Sequence, residues 1–325
     1  MSPSSSKQAS GSPPHSTNYV GRFAPSPTGQ MHLGIARTFL AAWLDARAHA
    51  GEVRLRFEDI DRPRNIPGAI DAMQRDLEWL GLTWDGAPTR QTDRAERYVA
   101  VLETLAASGR VYPCFCSRRE IALASAPHGP GDDGPRYPGT CRDQAPPTAH
   151  RAPSLRLRTH PHDRVTHHDR LLKDASQDVF QAVGDFVLRR ADGLFAYQLA
   201  VTIDDLDGQI TDVVRGADLL GSTARQILLR TLIAPDAPPL KTLHVPLLLS
   251  PDGRRLAKRD RDTTIHALRN RGVSAEAIVG RLAQTLGIHP TGDPTTAGAL
   301  ISVWQVDRLS TDPVGVSEFG LTHRI

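Results

Sequence analysis

The chain has 325 residues, and 39 Lys and Arg against 36 Asp and Glu leave a formal net charge of +3. This length supports one large domain or two modest ones, and the near balance of charge permits a nucleic-acid partner without requiring one. The 3 cysteines exclude a disulfide framework, and no apolar run is long enough to cross a membrane, so we expect a cytoplasmic protein. Residues 1–18 are rich in Ser, Pro and Gly and predict a disordered extension.

The first ordered elements predict a strand-to-helix turn. The apolar run Tyr19–Ala24 reads as a strand, prolines and a glycine interrupt it, and a helix follows from Gly34 to Ala50. The start of a helix offers unpaired N–H groups and a positive dipole end, which suit a phosphate. We therefore expect His32 and Gly34 to lie at a nucleotide site, where Gly34 lets a flat ligand approach the backbone.

The next strand ends in carboxylates. The alternating segment Val53–Asp59 predicts a strand, and Glu58 lies near its end. Because strand, helix and strand follow one another, we expect a βαβ unit with ligand-binding residues at the carboxyl end of a parallel sheet. Two amphipathic helices follow, at Gly68–Leu80 and Arg94–Ala107, and a glycine ends each of them.

Residues 112–184 predict an inserted subdomain. The segment Tyr112–His150 is rich in Pro, Gly and Asp and contains all three cysteines, and short strands are expected at Leu155–Arg158 and Val165–His168. Cys114, Cys116 and Cys141 suit a tetrahedral zinc site that lacks one ligand. His128 is a chemical candidate for the fourth ligand, and free thiols without a metal are the alternative.

The second half of the chain predicts a return to the sheet and then a helical end. Residues 19–111 and 185–260 are expected to be the two halves of one α/β domain, and residues 261–325 a short helical region. The expected elements are strands Asp185–Leu188 and Ala196–Ile203 as a hairpin, strand Ile210–Val214, helix Ser222–Ile233, strand Leu243–Leu249, and helices Thr264–Arg271, Ala275–Leu286 and Ala299–Gln305.

Four stretches of the chain together resemble one enzyme family. The string Arg22-Phe-Ala-Pro-Ser-Pro-Thr-Gly-x-x-His-Leu-Gly resembles the "HIGH" signature of class I aminoacyl-tRNA synthetases, in the form carried by the glutamyl and glutaminyl subfamily. An ordered string of this length is far more specific than a bare His-x-Gly. Three further blocks resemble the same subfamily, at Arg54–Arg64, Tyr197–Asp205 and Val214–Leu220.

The resemblance implies a Rossmann-type parallel-sheet catalytic domain and a glutamate pocket. By resemblance, Glu58 holds the amino acid's ammonium group, and Tyr197 and Arg215 line the pocket with Arg22. Two arginines imply a ligand with more than one carboxylate, so glutamate fits better than glutamine. The residues expected to bind glutamate are Arg22, Phe23, Ala24, Pro25, Ser26, Glu58, Tyr197 and Arg215.

The basic run after the last core strand resembles the mobile "KMSKS" loop. Lys258 matches its second lysine, which stabilises the charge on the phosphates during adenylate formation, whereas Arg255 and Ala257 depart from the motif. The resemblance thus implies that His32, Gly34 and Lys258 bind ATP, which carries Mg²⁺, and form the catalytic set.

The cysteine pattern and the short C-terminal region narrow the resemblance. The matching family variant uses a tyrosine four residues before the last cysteine, so Tyr137 is implied as fourth ligand of one structural Zn²⁺. With no anticodon-binding domain expected, the chain resembles synthetase paralogues that activate L-glutamate without tRNA and attach it to the queuosine base of tRNA(Asp). The alternatives are a truncated glutamyl-tRNA synthetase that charges the 3′ end of tRNA(Glu) and a catalytically silent RNA-binding paralogue.

Overall fold

A computed structural model describes residues 19–117, 119–121, 136–143, 151–250, 253 and 263–315. The strands are β1 (Val20–Phe23), β2 (Glu52–Phe57), β3 (Thr89–Arg90), β4 (Val111–Cys114), β5 (Ser154–Leu157), β6 (Arg164–Val165), β7 (His168–Asp169), β8 (Lys173–Asp174), β9 (Gln177–Asp178), β10 (Val187–Arg189), β11 (Asp212–Gly216), β12 (Lys241–Val245), β13 (Leu248–Leu249) and β14 (Val314–Gly315).

Eight α-helices lie wholly within the described part of the chain. They are α1 (Leu33–Ala48), α2 (Ala69–Trp79), α3 (Ala95–Ala107), α4 (Val179–Ala182), α5 (Tyr197–Asp207), α6 (Leu220–Ile233), α7 (Ile265–Asn270) and α8 (Ala275–Leu286). Short 3-10 helices occur at Arg62–Arg64, Gln91–Arg94, Ala217–Leu219, Gly298–Val303 and Val306–Arg308. Among the described residues, no helix has both the length and the apolar character needed to span a bilayer.

The first half of the chain builds a parallel sheet with the order β1-β2-β3. Helix α1 connects β1 to β2 and buries an almost continuous apolar face that includes Phe39, Leu40 and Leu44. Fully buried side chains on β2, such as Leu55 and Phe57, pack against it. Along β2 the apolar residues Val53, Leu55 and Phe57 alternate with charged ones, so the apolar residues share the face of the strand that enters the core.

The second half builds a sheet that continues the first. Strands β11, β12 and β7 are parallel neighbours, and β8 is an antiparallel edge. The backbone N–H of Thr211 donates to the carbonyl of Val20 at 3.0 Å, so β11 lies beside β1. Strand order therefore reverses at the β1/β11 boundary, and the crevice outside the carboxyl ends of such strands is where open α/β sheets bind ligands.

A smaller antiparallel sheet, ordered β10-β5-β4, lies between the two halves in sequence. Helices α3, α5 and α6 enclose a second apolar core with this sheet, centred on Tyr98, Leu188 and Leu229. A third and much smaller core contains Tyr112, Tyr137 and the cysteine side chains. The predicted α/β class is confirmed. A crevice lies where the parallel sheet meets the smaller antiparallel sheet, and residues of both sheets line it.

Most predicted elements are confirmed within a few residues, but the predicted strand Ala196–Ile203 is wrong. It is the first part of helix α5, in which every residue from Leu199 to Asp205 is buried. A helix buried on all sides loses the 3.6-residue alternation of apolar and polar positions, so its pattern resembles a buried strand.

Two further predicted strands are each divided. The predicted strand Leu243–Leu249 is divided at Pro246 into β12 and β13, because proline has no N–H for the ladder. The predicted strand Val165–His168 is likewise two strands, β6 and β7, in different sheets.

Candidate active site

His32 caps the helix that faces the crevice. It is the N-cap of α1, and the backbone N–H of Ile35 donates to its Nδ1 at 3.4 Å. Because Nδ1 accepts this bond, the neutral ring carries its proton on Nε2. The residue before His32 is held by the C-terminal region of the chain, since the backbone N–H of Ile265 at the start of α7 donates to the carbonyl of Met31 at 2.8 Å. The helix start and one imidazole N–H thus lie on one wall of the crevice.

Gly34 makes room for that imidazole. A Cβ on Gly34 would lie 3.1 Å from both Cε1 and Nδ1 of His32, closer than nearly all real Cβ contacts. A side chain at position 34 would require the imidazole to shift by a few tenths of an ångström. This close approach to His32 is a structural reason for glycine that the sequence alone did not reveal.

One cavity of about 1040 Å³ occupies the crevice. The predicted site residues that line it are Arg22, Ala24, Pro25, Ser26, His32, Gly34, Glu58, Tyr197 and Arg215. Phe23 does not line it, since its side chain is fully buried and packs on Phe39 with ring centroids 5.0 Å apart. Alternate residues of a strand point to opposite faces, so the neighbour of Arg22 enters the core. Lys258, Arg255 and Ala257 lie outside the described residues.

Arg56 organises a buried ion-pair network behind the part of the cavity wall that Glu58 forms. Its Nη1 lies 2.6 Å from Oδ1 of Asp205, its Nη2 lies 3.2 Å from Oε1 of Glu58, and its Nε lies 3.7 Å from Oδ2 of Asp204. Buried charges are tolerated when they are paired in this way. The network holds the Glu58 carboxyl, and the backbone N–H of Glu58 also donates to the carbonyl of Pro25 at 2.9 Å.

Among the described residues, Arg22 donates one side-chain hydrogen bond, whereas Arg56 donates two. Its Nε lies 3.6 Å from Oδ1 of Asp205 and has no hydrogen-bond partner in the described part of the chain, while its Nη1 donates to the carbonyl of Val214 at 3.3 Å. Burial raises the pKa of Glu58, although Arg56 and Arg22 oppose the shift. Within the described ranges, the pocket therefore contains a largely buried carboxyl group and a buried guanidinium that has a donor without a hydrogen-bond partner.

Tyr197 places a hydroxyl among these charged groups. It is the first residue of α5. Burial and then the carboxyl of Glu58 raise its pKa, against the effects of Arg215 and Arg22. The hydroxyl therefore stays protonated and can donate one hydrogen bond and accept others.

Arg215, at the carboxyl end of β11, is held by neutral groups. Its Nε donates to Nε2 of His244 at 3.1 Å, its Nη1 to Oε1 of Gln226 at 2.7 Å, and its Nη2 to Oγ1 of Thr223 at 2.9 Å. Among the described residues, no carboxylate forms an ion pair with it. The positive charge of Arg215 is thus buried in the cavity wall without being neutralised at contact distance.

The three cysteines form a cluster beside the same cavity. All three Sγ atoms lie within 4.8 Å of one another, and those of Cys116 and Cys141 are 3.6 Å apart. The hydroxyl of Tyr137 lies 3.7 Å from Sγ of Cys116 and accepts the N–H of Cys141 at 2.7 Å. The guanidinium of Arg156 covers the Tyr137 ring at 3.9 Å. These contacts bring the predicted ligand set together, whereas His128 lies outside the described residues.

The cluster fits a tetrahedral metal ion. Zn–S bonds of about 2.3 Å and a Zn–O bond of about 2.0 Å imply S···S separations of about 3.8 Å and an S···O separation of about 3.5 Å. The observed separations around Cys116 are close to both values. Burial and the neighbouring sulfurs raise the pKa of Cys116 to about 11, although Tyr137 opposes the shift. A cation would be needed to hold all three groups as thiolates.

Comparison with known proteins assigns the chain to a family. Residues 19–300 match the family of class I tRNA synthetases (E and Q), catalytic domain. The chain belongs to this synthetase family. It is 44% identical over 311 residues to a glutamyl-Q tRNA(Asp) synthetase of Symbiobacterium thermophilum, covering 91% of this chain and 95% of that protein.

Other relatives agree with this assignment. The synthetase is 51% identical to a glutamyl-Q tRNA(Asp) synthetase of Bordetella bronchiseptica over 75% of this chain and 76% of that protein. Its fold matches the crystal structure of a glutamate tRNA ligase from Elizabethkingia meningosepticum with a TM-score of 0.77 at 24% identity, covering 92% of this chain and 67% of that chain. The protein is therefore a ligase-type enzyme with a class I synthetase catalytic domain.

Several residues of the synthetase site were not predicted. The sequence motifs contain Arg56, Asp204 and Asp205 without indicating a role for them, and His244 lies in a segment that the sequence predicts to be an apolar strand. The signal for His244 is a single polar residue between Leu243 and Val245 in that strand. A buried polar side chain needs a partner, and the partners of His244 are distant in sequence.

Proposed function

We propose that this synthetase activates L-glutamate with ATP in the absence of tRNA, and transfers glutamate to the queuosine base at the wobble position of tRNA(Asp). The observation that carries the proposal is that Arg22, Glu58, Tyr197 and Arg215 line the same cavity as His32. The names of its relatives at 44% and 51% identity support the same substrate.

The pocket charges suit glutamate. In the proposal, Arg22 and Arg215 each bind one carboxylate of the amino acid, and Glu58 binds its ammonium group. Planar guanidinium groups match carboxylates, and charge-assisted hydrogen bonds are strong where water is excluded. Glutamine would leave one buried arginine without an anionic partner, so we expect discrimination in favour of glutamate.

The first chemical step is the formation of glutamyl adenylate. The ionised α-carboxylate of glutamate attacks the α-phosphorus of ATP, the bond to the bridging oxygen breaks, and pyrophosphate leaves. Because the nucleophile is already an anion, no general base is required. His32 Nε2–H and the start of α1 would orient the phosphates, and Lys258 would stabilise the charge that develops on them. Mg²⁺ bound with ATP would supply further charge neutralisation.

In the second step, a hydroxyl of the queuosine cyclopentenediol attacks the carbonyl of the adenylate. An ester forms, the mixed anhydride bond breaks, and AMP leaves with the bonding electron pair. We assign the protein positioning and charge stabilisation in this step, since none of the described cavity residues is an evident general base.

We propose one structural Zn²⁺ held by Cys114, Cys116, Tyr137 and Cys141 in the inserted subdomain, residues 112–184. Four protein ligands would leave no open coordination position, which is typical of a structural site. Such an ion would fix the wall of the cavity that Cys114 and Cys116 contribute to.

Glutamate-dependent exchange of pyrophosphate into ATP without tRNA tests the activation step. We expect exchange with L-glutamate, strongly reduced exchange with L-glutamine, and a loss of roughly 10²–10³-fold in Lys258→Ala, comparable to removing one group that stabilises a transition state. Exchange no greater than that of Lys258→Ala would contradict the proposal and favour an RNA-binding paralogue.

Acylation of tRNA(Asp) with and without queuosine tests the acceptor. We expect labelled glutamate only on the queuosine-containing tRNA, and ribonuclease mapping should locate the label in the anticodon fragment. Label on the 3′-terminal adenosine of tRNA(Glu) would instead identify a truncated glutamyl-tRNA synthetase.

A further inference from the structure

We infer that His244 and Asp169 are positioning residues that orient Arg215 for a ligand carboxylate while leaving its charge available. The inference rests on the proposed function for the identity of the ligand, L-glutamate. Neither residue lines the cavity, and both side chains are completely buried. They would therefore act on the substrate through Arg215 and not by contact.

Asp169 is the fixed end of the arrangement. Its Oδ1 accepts the backbone N–H groups of Leu171 at 3.1 Å and Leu172 at 3.0 Å, and its Oδ2 accepts the hydroxyl of Thr242 at 2.7 Å. The Nδ1 of His244 lies 2.6 Å from the same Oδ2. A carboxylate that accepts this many hydrogen bonds is held as an anion in one orientation.

His244 transmits this orientation as a neutral ring. Because Nε2 accepts the Nε–H of Arg215, the proton of the imidazole is on Nδ1, where it is donated to Asp169. The hydroxyl of Thr223 lies 3.1 Å from the same Nε2. A second proton on the ring would face a guanidinium at hydrogen-bond distance, so the arrangement requires the neutral form.

The hydrogen bonds of Arg215 leave part of its guanidinium for a ligand. A guanidinium has five N–H donors. His244, Gln226 and Thr223 accept one each from Nε, Nη1 and Nη2. One N–H therefore remains on each terminal nitrogen, which is the number that a bidentate carboxylate uses.

The choice of a neutral acceptor beside Arg215 has a functional consequence. A carboxylate in the place of His244 would hold the guanidinium equally well, but it would neutralise the charge that the ligand needs. With an imidazole between Asp169 and Arg215, the orientation is transmitted and no direct ion pair forms. A purely structural network would be satisfied by either arrangement.

The test uses three variants of the full chain in tRNA-independent pyrophosphate exchange. His244→Leu removes the acceptor at similar volume, His244→Gln retains an amide oxygen for the Arg215 Nε–H, and Trp304→Phe is the control. Trp304→Phe removes a different buried hydrogen bond, 2.9 Å from Nε1 to Oδ1 of Asp45, on a residue that does not line the cavity.

We expect His244→Leu to raise KM for glutamate by roughly 10–100-fold, as for a lost hydrogen bond to a charged group, while KM for ATP changes less than about 3-fold. His244→Gln should recover most of the loss, and Trp304→Phe should lower Tm without changing KM for glutamate. An unchanged KM for glutamate in His244→Leu, or a His244→Gln variant as impaired as His244→Leu, would overturn the inference.

A second readout separates this inference from the proposed function. The Nε–H resonance of Arg215, observed by NMR in the arginine-labelled protein, should exchange slowly in the wild type and in His244→Gln, and fast in His244→Leu. If the wild type shows no glutamate-dependent exchange, the proposed function fails. Equal exchange of the Nε–H in all three proteins would overturn the positioning role, whatever the activity.

Discussion

Two arginines, Arg215 in the cavity lining and Arg56 behind Glu58, are buried to almost the same extent but are held in opposite ways. Arg56 is 4% exposed and Arg215 is 5% exposed. Arg56 contacts the carboxyl groups of Asp205, Glu58 and Asp204, whereas Arg215 contacts only neutral acceptors among the described residues. Burial alone therefore does not distinguish an arginine that stabilises a wall from one that can bind a substrate.

The pKa directions express the same difference. Burial lowers the pKa of both guanidinium groups, but at Arg56 the charges of Asp205, Glu58 and Asp204 outweigh it and the net pKa is raised. At Arg215 burial prevails and the net pKa is lowered. A cation in the second state gains most from an incoming carboxylate, because its charge is desolvated and not yet compensated.

Replacing Arg215 should give the largest functional effect. Arg215→Met removes two hydrogen bonds to a carboxylate, each worth about 1.5–3 kcal/mol, so kcat/KM for glutamate in pyrophosphate exchange should fall by roughly 10²–10⁴-fold. Because no carboxylate loses its partner, Tm should change by less than about 4 °C. A large fall in Tm with a proportionate loss of soluble protein would mean that Arg215 is structural, as Arg56 is.

Replacing Arg56 should affect stability first. Arg56→Met leaves Asp205 and Glu58 buried without their main partner, which costs about 3–5 kcal/mol of unfolding free energy. Thermal unfolding should therefore show a Tm lower by roughly 6–15 °C. The matched variant Arg56→Lys keeps one charge and should recover part of the loss. An unchanged Tm in Arg56→Met would remove the distinction between the two arginines.

With the proposed Zn²⁺ bound, the cysteine cluster would be a third way of holding buried charge, because the metal ion would take the place of the guanidinium. Cys116→Ser should reduce zinc affinity by about 10²-fold or more, and the hydrogen-exchange protection of residues 112–117 and 136–141 should fall in parallel. Tyr137→Phe removes only the phenol oxygen and should weaken binding by about 10-fold. Stoichiometric zinc that persists fully in Cys116→Ser would exclude that residue from the ligand set.

The parts of this site that the sequence predicted are those encoded in short continuous segments. The strand-to-helix turn around His32 depends on local backbone signals, and the spacing of Cys114 and Cys116 constrains the cysteine cluster directly. The contact between Asp169 and His244 joins residues 75 apart in the chain. Only the pairing of β7 with β12 brings them together, and two short strands leave no pattern that predicts this pairing.

The prediction of a strand where α5 lies was wrong for a related reason. Its buried carboxyls, Asp204 and Asp205, face Arg56 instead of solvent, so polar residues do not mark an exposed face. The motif predicts that Phe23 contacts the ligand, but the motif contains both pocket and core positions, and Phe23 is a core residue. Sequence motifs thus indicate which segment forms a site, and the pleat of the strand decides which of its side chains do.

Replacing Asp76, a buried carboxyl away from the cavity, should have a smaller effect on stability than replacing Arg56, and in the opposite direction. It is 6% exposed and forms no ion pair within the described part of the chain. Burial raises its pKa to about 6, although His266, Arg269 and Arg75 oppose the shift. The folded state therefore binds the proton more tightly than the unfolded state, and this contribution to stability is lost as pH rises from about 4 to about 6.

Asp76→Asn should remove that pH dependence. At pH 7.5 the variant should unfold at a Tm higher by roughly 2–4 °C, equivalent to about 1 kcal/mol, and at pH 4 the two proteins should unfold at the same temperature. Glutamate-dependent exchange should be unchanged, because Asp76 does not line the cavity. If the variant is less stable at pH 7.5, the Asp76 carboxylate must be compensated in the folded state. The lack of an ion pair would then be a poor guide to uncompensated charge, and this would apply to Arg215 as well.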